Sequence, residues 1–507
     1  MLQKKPFLYF TKCSEYFHKY FGFIDYHDSM NNMIGGRKMG LRKTKVLLSM
    51  LLVVAFAAGT ISGCTGTTGA AGSSTVINAS ESIIDENNMM SIIQELTSKK
   101  YDGRLAGTEG NELAAGYIAD YFKKIGLESP KGLDNYMQYY EQPVINLKST
   151  PMLSIVDKDG KKVSDFKYIE NFTLRSLSSS TENIDIKAPI YVLNSLGDLT
   201  DTNKDLKGKI ILVSWDMRGE TNNPSLISMA YSFGAAGTIG EYPTAAEYRN
   251  TGSQTVTPMI GTWLDKQYNP FINIDSSSFK QLKDAAARGD MVEYKCSFSM
   301  DKAKKVPNLI GILPGSDPKL KDKYIIISSH FDHVGDNHDG TYNPGALDNA
   351  SGTAAMMEIA RILKNSKQPP QKSILFISFN GEEAGMLGSQ YYAAYPVYPL
   401  KDSVMINLDM VGSSTDLPLD IDTVGGSKLK NELMGYAKEL GIEAEEISMG
   451  ASDHVSLTHE GVPAVMLIND DVFNGYHSPG DTIEDVSAER IEQVVKLVLY
   501  YIDKNAY

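Results

Sequence analysis

Ser378–Ser389 reads SFNGEEAGMLGS and sets two glutamates, Glu382 and Glu383, directly after the apolar run ILFISF. Neighbouring side chains on extended backbone point in opposite directions, so two carboxylates beside a core strand demand an explanation. The pattern recurs. YIIISS runs into His330-Phe331-Asp332-His333, VMINL into Asp409, and AVMLI leads through Asn469-Asp470-Asp471 to Tyr476-His477-Ser478-Pro479. Asp348 adds a fifth position, in NPGALDNASG at the expected start of a helix. Loops are polar anyway, but four apolar runs that each end in a metal-accepting residue make chance a poor explanation. If each position supplies one ligand, the set is two histidines and three carboxylates. Oxygen and imidazole donors without thiolate suit a hydrolytic zinc, manganese or cobalt site and not a structural Cys-rich zinc. Five ligands exceed what one catalytic zinc takes from protein, so two metals sharing a carboxylate fit better.

The elements that must position these residues follow from the hydrophobic pattern. After Val306, apolar runs (PNLIGILPG, KYIIISSH, SILFISFN, SVMINLDM, AVMLIND) alternate with helical stretches such as SGTAAMMEIARILKN. That alternation predicts an α/β fold with a mixed, largely parallel central sheet flanked by helices. In such sheets, ligands bind beyond the carboxyl ends of the strands, which is where the polar residues fall. Residues 83–127 carry helical spacing, with Gly126 placed to end the second helix. A strand-rich part follows, with Asp157-Lys158-Asp159-Gly160 as a hairpin turn between MLSIV and KKVSDF. Between residues 181 and 299 the texture changes to APIYVLN, DLKGKIILVSW and the small-residue helix LISMAYSFGAAGTIG. This segment resembles the protease-associated domain inserted into some peptidases; the other reading is an ordinary βαβ unit of the main domain. The expected peptidase domain is then 83–180 with 300–507, interrupted by the smaller β-rich α/β insert at 181–299.

The whole arrangement resembles the M28 family of zinc aminopeptidases. The resemblance rests on DGRLAGTEGNELAAGYI from Asp102, SHFDH from Ser329, PGALDNASG from Pro344, NGEEAGMLGS from Asn380, NLDM from Asn407, SDHVSLTHEGVPAVML from Ser452 and YHSPGDT from Tyr476. It implies two Zn²⁺ ions, with Mn²⁺ or Co²⁺ as substitutes. His330 and Asp409 would hold one metal, Glu383 and His477 the other, and Asp348 would bridge them. Glu382 would be the general base, and Asp332 would accept the ring proton of His330 and fix its tautomer. Leu347 departs from the family, which commonly has a second aspartate there; with Asp348 kept, metal binding is expected to survive. Amide hydrolysis needs an acidified water, a polarised carbonyl and a proton for the leaving nitrogen, and an uncoordinated carboxylate beside metal can move that proton. The implied activity is removal of N-terminal residues from peptides with a free N-terminus. A related two-zinc carboxypeptidase, a one-zinc glutaminyl cyclase and a receptor-like binding protein on the same scaffold remain as alternatives.

Other polar residues carry less. His333 and His338 read as loop residues, although His333 matches the family's HxDH pattern; Asp453 and His454 fit either a substrate-lining or a hydrogen-bonding role. Asp102-Gly103-Arg104 reads as structural support. His459-Glu460 starts an H-E-x-x-H motif that Pro463 breaks, and Asp336–Gly340 lacks the first ligand of a calcium loop. Cys296 has no motif around it, and no G-x-S-x-G elbow occurs.

Composition bounds the rest. At 507 residues, two or three domains are expected at roughly 150 residues each. A net charge of −13 with no basic stripe argues against nucleic acid binding. From Met39, basic residues lead into an apolar run and then Ile61-Ser62-Gly63-Cys64, which resembles the lipobox of bacterial lipoproteins. Residues 39–63 are therefore expected to be a signal peptide, Cys64 a lipidated membrane anchor on an exported, cell-surface protein, and 64–82 a flexible tether. Residues 1–38 fit no targeting pattern and are expected to precede the true start at Met39. Of three cysteines only Cys296 would then remain free, which excludes an intramolecular disulfide.

Overall fold

The computed structural model describes residues 84–507 apart from 177–181, 200–204, 220–229, 231, 243–269, 423, 425–426, 450–451 and 473–474. The leader, signal peptide, Cys64 and tether expected from the sequence lie outside the described residues, as do residues 226–229 and 231 of the helix expected over LISMAYSFGAAGTIG.

The described chain opens with α1 (Glu86–Leu96), whose N-terminus is capped by the Asp85 side chain, and α2 (Glu109–Ile125), capped by Thr108 and ended by left-handed Gly126. Between them, Lys99–Arg104 forms a tight 3-10 turn. There follow β1 (Met137–Leu147), β2 (Met152–Val156), β3 (Lys162–Phe166), β4 (Phe172–Ser176), β5 (Asn183–Val192), β6 (Ile210–Val213), β7 (Gly237–Tyr242) and β8 (Phe271–Asp275). Next come α3 (Ser276–Arg288) and the long β9 (Met291–Leu313). The hairpin expected at Asp157–Gly160 forms: β2 pairs antiparallel with β3, and the Asp157 side chain accepts the Asp159 and Lys161 N–H groups.

The first half of β9 pairs with β2 and β5, while its second half pairs with β1 and then the peptidase sheet. Sequence reading placed the residues of β2, β3 and β4 with the peptidase part, whereas their apolar side chains pack with those of β5–β9. Leu153, Ile155, Phe166, Phe172 and Leu174 share a core with Ile184, Leu212, Ile272, Phe279 and Phe298. The physical reason is strand pairing: β2 and β4 find their partners in β9 and β8, beyond the assumed boundary.

The remaining elements are β10 (Tyr324–His330), α4 (Gly352–Lys364), β11 (Ser373–Phe379), α5 (Leu387–Ala394), β12 (Val404–Leu408), β13 (Leu419–Asp422), α6 (Ser427–Leu440), β14 (Ala444–Ile447), α7 (His454–His459), β15 (Ala464–Ile468) and α8 (Ala488–Ala506). The strand order is β14-β13-β15-β12-β10-β11-β9. β15, β12, β10 and β11 run parallel, and β13 and β9 pair antiparallel at either side of them. Every residue of β10 and β11 is buried, which requires cover on both faces. Side chains of α1, α2, α4, α6 and α8 fill one face and those of α5 and α7 the other. This is the mixed α/β architecture that the alternating apolar runs predict.

Candidate metal centre

Because β10, β11, β12 and β15 are parallel, their carboxyl ends meet at one edge of the sheet. Ser328 pairs in register with Asn407, so His330 and Asp409, each two residues further on, arrive side by side with Nε2 and Oδ1 3.2 Å apart. His330 pairs with Phe379, which lifts the turn Asn380–Glu383 just above it. Gly381 sits at φ 72°, and a Cβ there would lie 2.2 Å from Gln142 Oε1, so the turn strongly favours glycine. Asp348 comes from an irregular turn, Ala346–Ser351, that leads into α4. The Asp481 carboxylate holds that turn by accepting the Leu347 and Asp348 N–H groups at 2.7 and 3.0 Å. Leu347, the departure from the family pattern, is buried in the main apolar core and is no part of the donor set.

The five expected ligands converge as two overlapping groups. Asp348 Oδ1 lies 3.4 Å from His330 Nε2, beside Asp409. Its other oxygen, Oδ2, lies 3.0 Å from His477 Nε2, which is also 3.0 Å from Glu383 Oε2. Four donors 2.0–2.1 Å from a tetrahedral zinc stand about 3.3 Å from one another, and these separations match that spacing. His477 Nε2 is buried and aligned to hydrogen-bond neither carboxylate, although both are close. An orphaned ring nitrogen between two carboxylates fits a shared cation better than a hydrogen bond. The donor set therefore suits zinc.

Two expectations need correction. His333, read as a loop residue, is fully buried inside the second group: its Nδ1 is 2.9 Å from Glu383 Oε1 and 3.6 Å from Asp348 Oδ2. The HxDH spacing was the one sequence signal for it. Asp332, expected to take the His330 ring proton, has its carboxylate 3.8 Å from His330 Nδ1, while its backbone carbonyl is nearer at 3.3 Å. The strand ends at His330, so the alternation that would align the two side chains stops there. The Asp332 carboxylate instead accepts the N–H groups of Glu382 and Glu383 at 3.2 and 3.3 Å. Asp453 and His454 are both fully buried, and His454 Nε2 is 3.4 Å from Asp422.

Arg104, read as support, has a more specific position. It is fully buried, and its guanidinium donates to four carbonyls: Phe331 at 2.8 Å, Leu96 and Pro344 at 2.7 Å, and Gly345 at 2.9 Å. Phe331 separates His330 from Asp332, and Gly345 begins the turn that carries Asp348. The same residue thus braces both loops. Its own carbonyl accepts the His333 N–H and the Asn111 amide.

Electrostatics reflect the crowding. Burial pushes Asp332 and Asp481 up to about 7. Burial opposes the charged form of His477, yet Glu383 and Asp348 outweigh it and lift the ring to about 10; His330 is raised too, chiefly by Asp409. Burial would raise Glu383, but His477 and His333 hold it well below the usual carboxylate range.

Two outcomes follow. Metal needs neutral imidazoles, whereas the metal-free protein keeps His477 protonated below about pH 10, so metal displaces protons. Affinity for zinc, measured by chelator competition between pH 6 and 9, should rise with pH, with at least one proton released per site filled. Arg104→Lys keeps the charge but loses the planar fork that reaches carbonyls in several directions. With unpaired buried carbonyls costing ~1–3 kcal/mol each, denaturant unfolding should show a loss of about 2–4 kcal/mol, and zinc affinity should fall about tenfold.

Comparison with known proteins agrees with this geometry. Residues 308–502 match the model of peptidase family M28. Aminopeptidase YwaD of Bacillus subtilis (strain 168) is 31% identical over 337 residues, 63% of this chain and 67% of that protein. The crystal structure of BSAP, a zinc aminopeptidase from Bacillus subtilis, superposes with a TM-score of 0.62 at 26% identity, covering 83% of this chain and 96% of that one. The aminopeptidase from Aneurinibacillus sp. strain AM-1 shares the fold, with a TM-score of 0.63 at 24% identity over 86% of this chain and 96% of its own. With its sheet and these relatives in agreement, the chain belongs to peptidase family M28.

Proposed function

We propose that this chain removes N-terminal residues from peptides at a two-zinc centre, with Glu382 as the general base. As a member of M28 whose relatives include zinc aminopeptidases, it is a metal-dependent aminopeptidase. The observation that carries the two-metal reading is the division of Asp348, whose two oxygens face different ligand groups. His330 and Asp409 would hold one zinc and Glu383 and His477 the other, with Asp348 between them. Bound zinc supplies a Lewis acid for the scissile carbonyl and an acidified water.

The chain's own residues do the rest. His333 occupies Glu383 Oε1, which leaves Oε2 on the His477 side for metal. Asp332 fixes the backbone of Glu382 and Glu383 together. Burial, with Glu383 and Asp409 close by, holds Glu382 well above the usual carboxylate range, the direction suited to a group that takes a proton from water and returns it to the leaving amine.

Amino-terminal recognition is favoured by charge. Among the described residues, Arg104 is the one fully buried lysine or arginine, and its donors are committed to carbonyls. A carboxypeptidase needs a cation for the α-carboxylate, whereas a carboxylate-rich site suits an α-ammonium.

Glu382→Gln should lower kcat by ~10²–10⁴ with zinc content unchanged by elemental analysis, and Glu383→Ala should lose zinc. The reverse pattern would exchange the two roles. Free peptides should be cleaved and N-acetylated ones spared; the opposite preference would point to a carboxypeptidase.

We also propose that the segment around 181–299 is a protease-associated type of insert, and that lipid on Cys64 holds the exported chain at the cell surface. The lipobox-like ISGC ahead of a Gly/Ser/Thr-rich stretch supports the second reading. In cells fed a labelled fatty acid, the protein should take up label and Cys64→Ser should not; equal labelling would refute the anchor.

A further inference from the structure

A cleft of about 720 Å³ lies between the smaller unit and the loops of the metal centre. That volume is within the ~300–1,000 Å³ typical of ligand sites. One wall comes from the start of β2 and the chain following β3, including Pro151, Met152, Phe166 and Ile169. The other comes from two loops already anchored in the site. Asp339 and Thr341 lie on the loop between His333 and Asp348, and Ser478 and Pro479 directly follow His477. The Thr150 hydroxyl donates to the His338 carbonyl and ties the two walls together.

We propose that this cleft binds the departing part of the substrate, the residues beyond the scissile bond, and that it selects apolar side chains there. The inference rests on the aminopeptidase reading, in which the metal centre holds only the first residue and the remainder of the peptide must lie elsewhere.

Three features support it. Ser478 and Pro479, which line the cleft, directly follow His477 in the chain, so the cleft adjoins the loop that carries a candidate ligand. Its surface is mostly apolar, and Met152 on it is 49% exposed. Among the charged groups lining it, Lys162 pairs with Asp165 at 3.0 Å and Lys167 with Glu170 at 2.9 Å, which leaves the Asp339 carboxylate, hydrogen-bonded by Thr341, to disfavour an acidic extension. The backbone adds a further indication. Ile169 in the cleft wall, at φ 69°, and His338, at φ 56°, hold left-handed conformations that a β-branched or bulky residue rarely adopts, and such residues concentrate at ligand sites. The insert then has a task, as one half of a peptide-binding groove.

The test compares an aminoacyl amide, which has only ammonia beyond the scissile bond, with tripeptides sharing the same first residue and carrying leucine or aspartate at the second and third positions. The zinc-loaded full chain should show kcat/KM about tenfold higher for the leucine tripeptide than for the amide, mainly through KM, and no such gain for the aspartate one. Met152→Asp should cut the ratio of leucine tripeptide to amide about tenfold, with unchanged zinc content. A ratio unaltered by Met152→Asp, or no advantage for apolar extension, overturns the proposal. Should the amide and peptides all resist hydrolysis, the aminopeptidase reading fails and the cleft is judged by binding alone: a fluorescent leucine-rich tripeptide should bind Glu382→Gln at least tenfold more tightly than the double variant with Met152→Asp, and equal binding sinks the cleft.

Discussion

Six carboxylates gathered out of water at one edge of a sheet are the constraint on which the rest of this molecule depends. Asp332, Asp348, Asp409, Asp453 and Asp481 are each less than a tenth exposed, and the Glu383 side chain is 6% exposed. A buried anion persists only when it is paired, hydrogen-bonded by N–H groups, or given a metal. The first two answers occur here, and the placement of Asp348 suits the third. Asp332 and Asp481 each take two backbone N–H groups, Glu383 lies against two histidines, and Asp348 faces both ligand groups. A divalent cation changes the sign of the local potential, so the same crowding that disfavours the metal-free centre becomes affinity for metal.

Meeting that constraint requires backbone held in place from outside the ligand set. Asp102, Gly103 and Arg104 all have positive φ, a costly arrangement for the two non-glycine residues. The return is that Arg104 reaches carbonyls on both sides of the centre while its own carbonyl, and that of Gly103, receive the His333 and Gly335 N–H groups. Asn111 of α2 extends the brace, exchanging amide hydrogen bonds with Asn380 at the end of β11. A segment distant in sequence thereby sets where Glu382 and Glu383 begin.

The sheet and the convergence of polar residues beyond its strand ends were legible in the sequence because burial on both faces leaves unbroken apolar runs, and their abrupt polar ends then stand out. His330, Asp409 and His477 carry that mark. What escaped was set by contacts between distant segments. His333 looked like any loop polar residue, since its value lies in meeting Glu383 from another strand. Arg104 was read correctly as support, but four carbonyl partners spread from Leu96 to Gly345 leave no local trace. The packing of β2 to β4 left no local trace because they have the same strand texture as β1, and their partners are set by pairing, β2 with β9, β3 with β2 and β4 with β8.

The adjacent glutamates show how a local rule and a tertiary contact combine. Alternation alone would send Glu382 and Glu383 to opposite faces of a strand, yet β11 has already ended at Phe379. Asp332 captures their successive N–H groups on its two oxygens, and the Gly385 and Met386 N–H groups close the turn on the Glu382 carbonyl at 2.7 Å. With the backbone held from both ends, Glu383 is set against His333 and His477. A ligand and a base need the same chemical group in different surroundings, and under the proposed assignment one turn with one supporting aspartate would supply both.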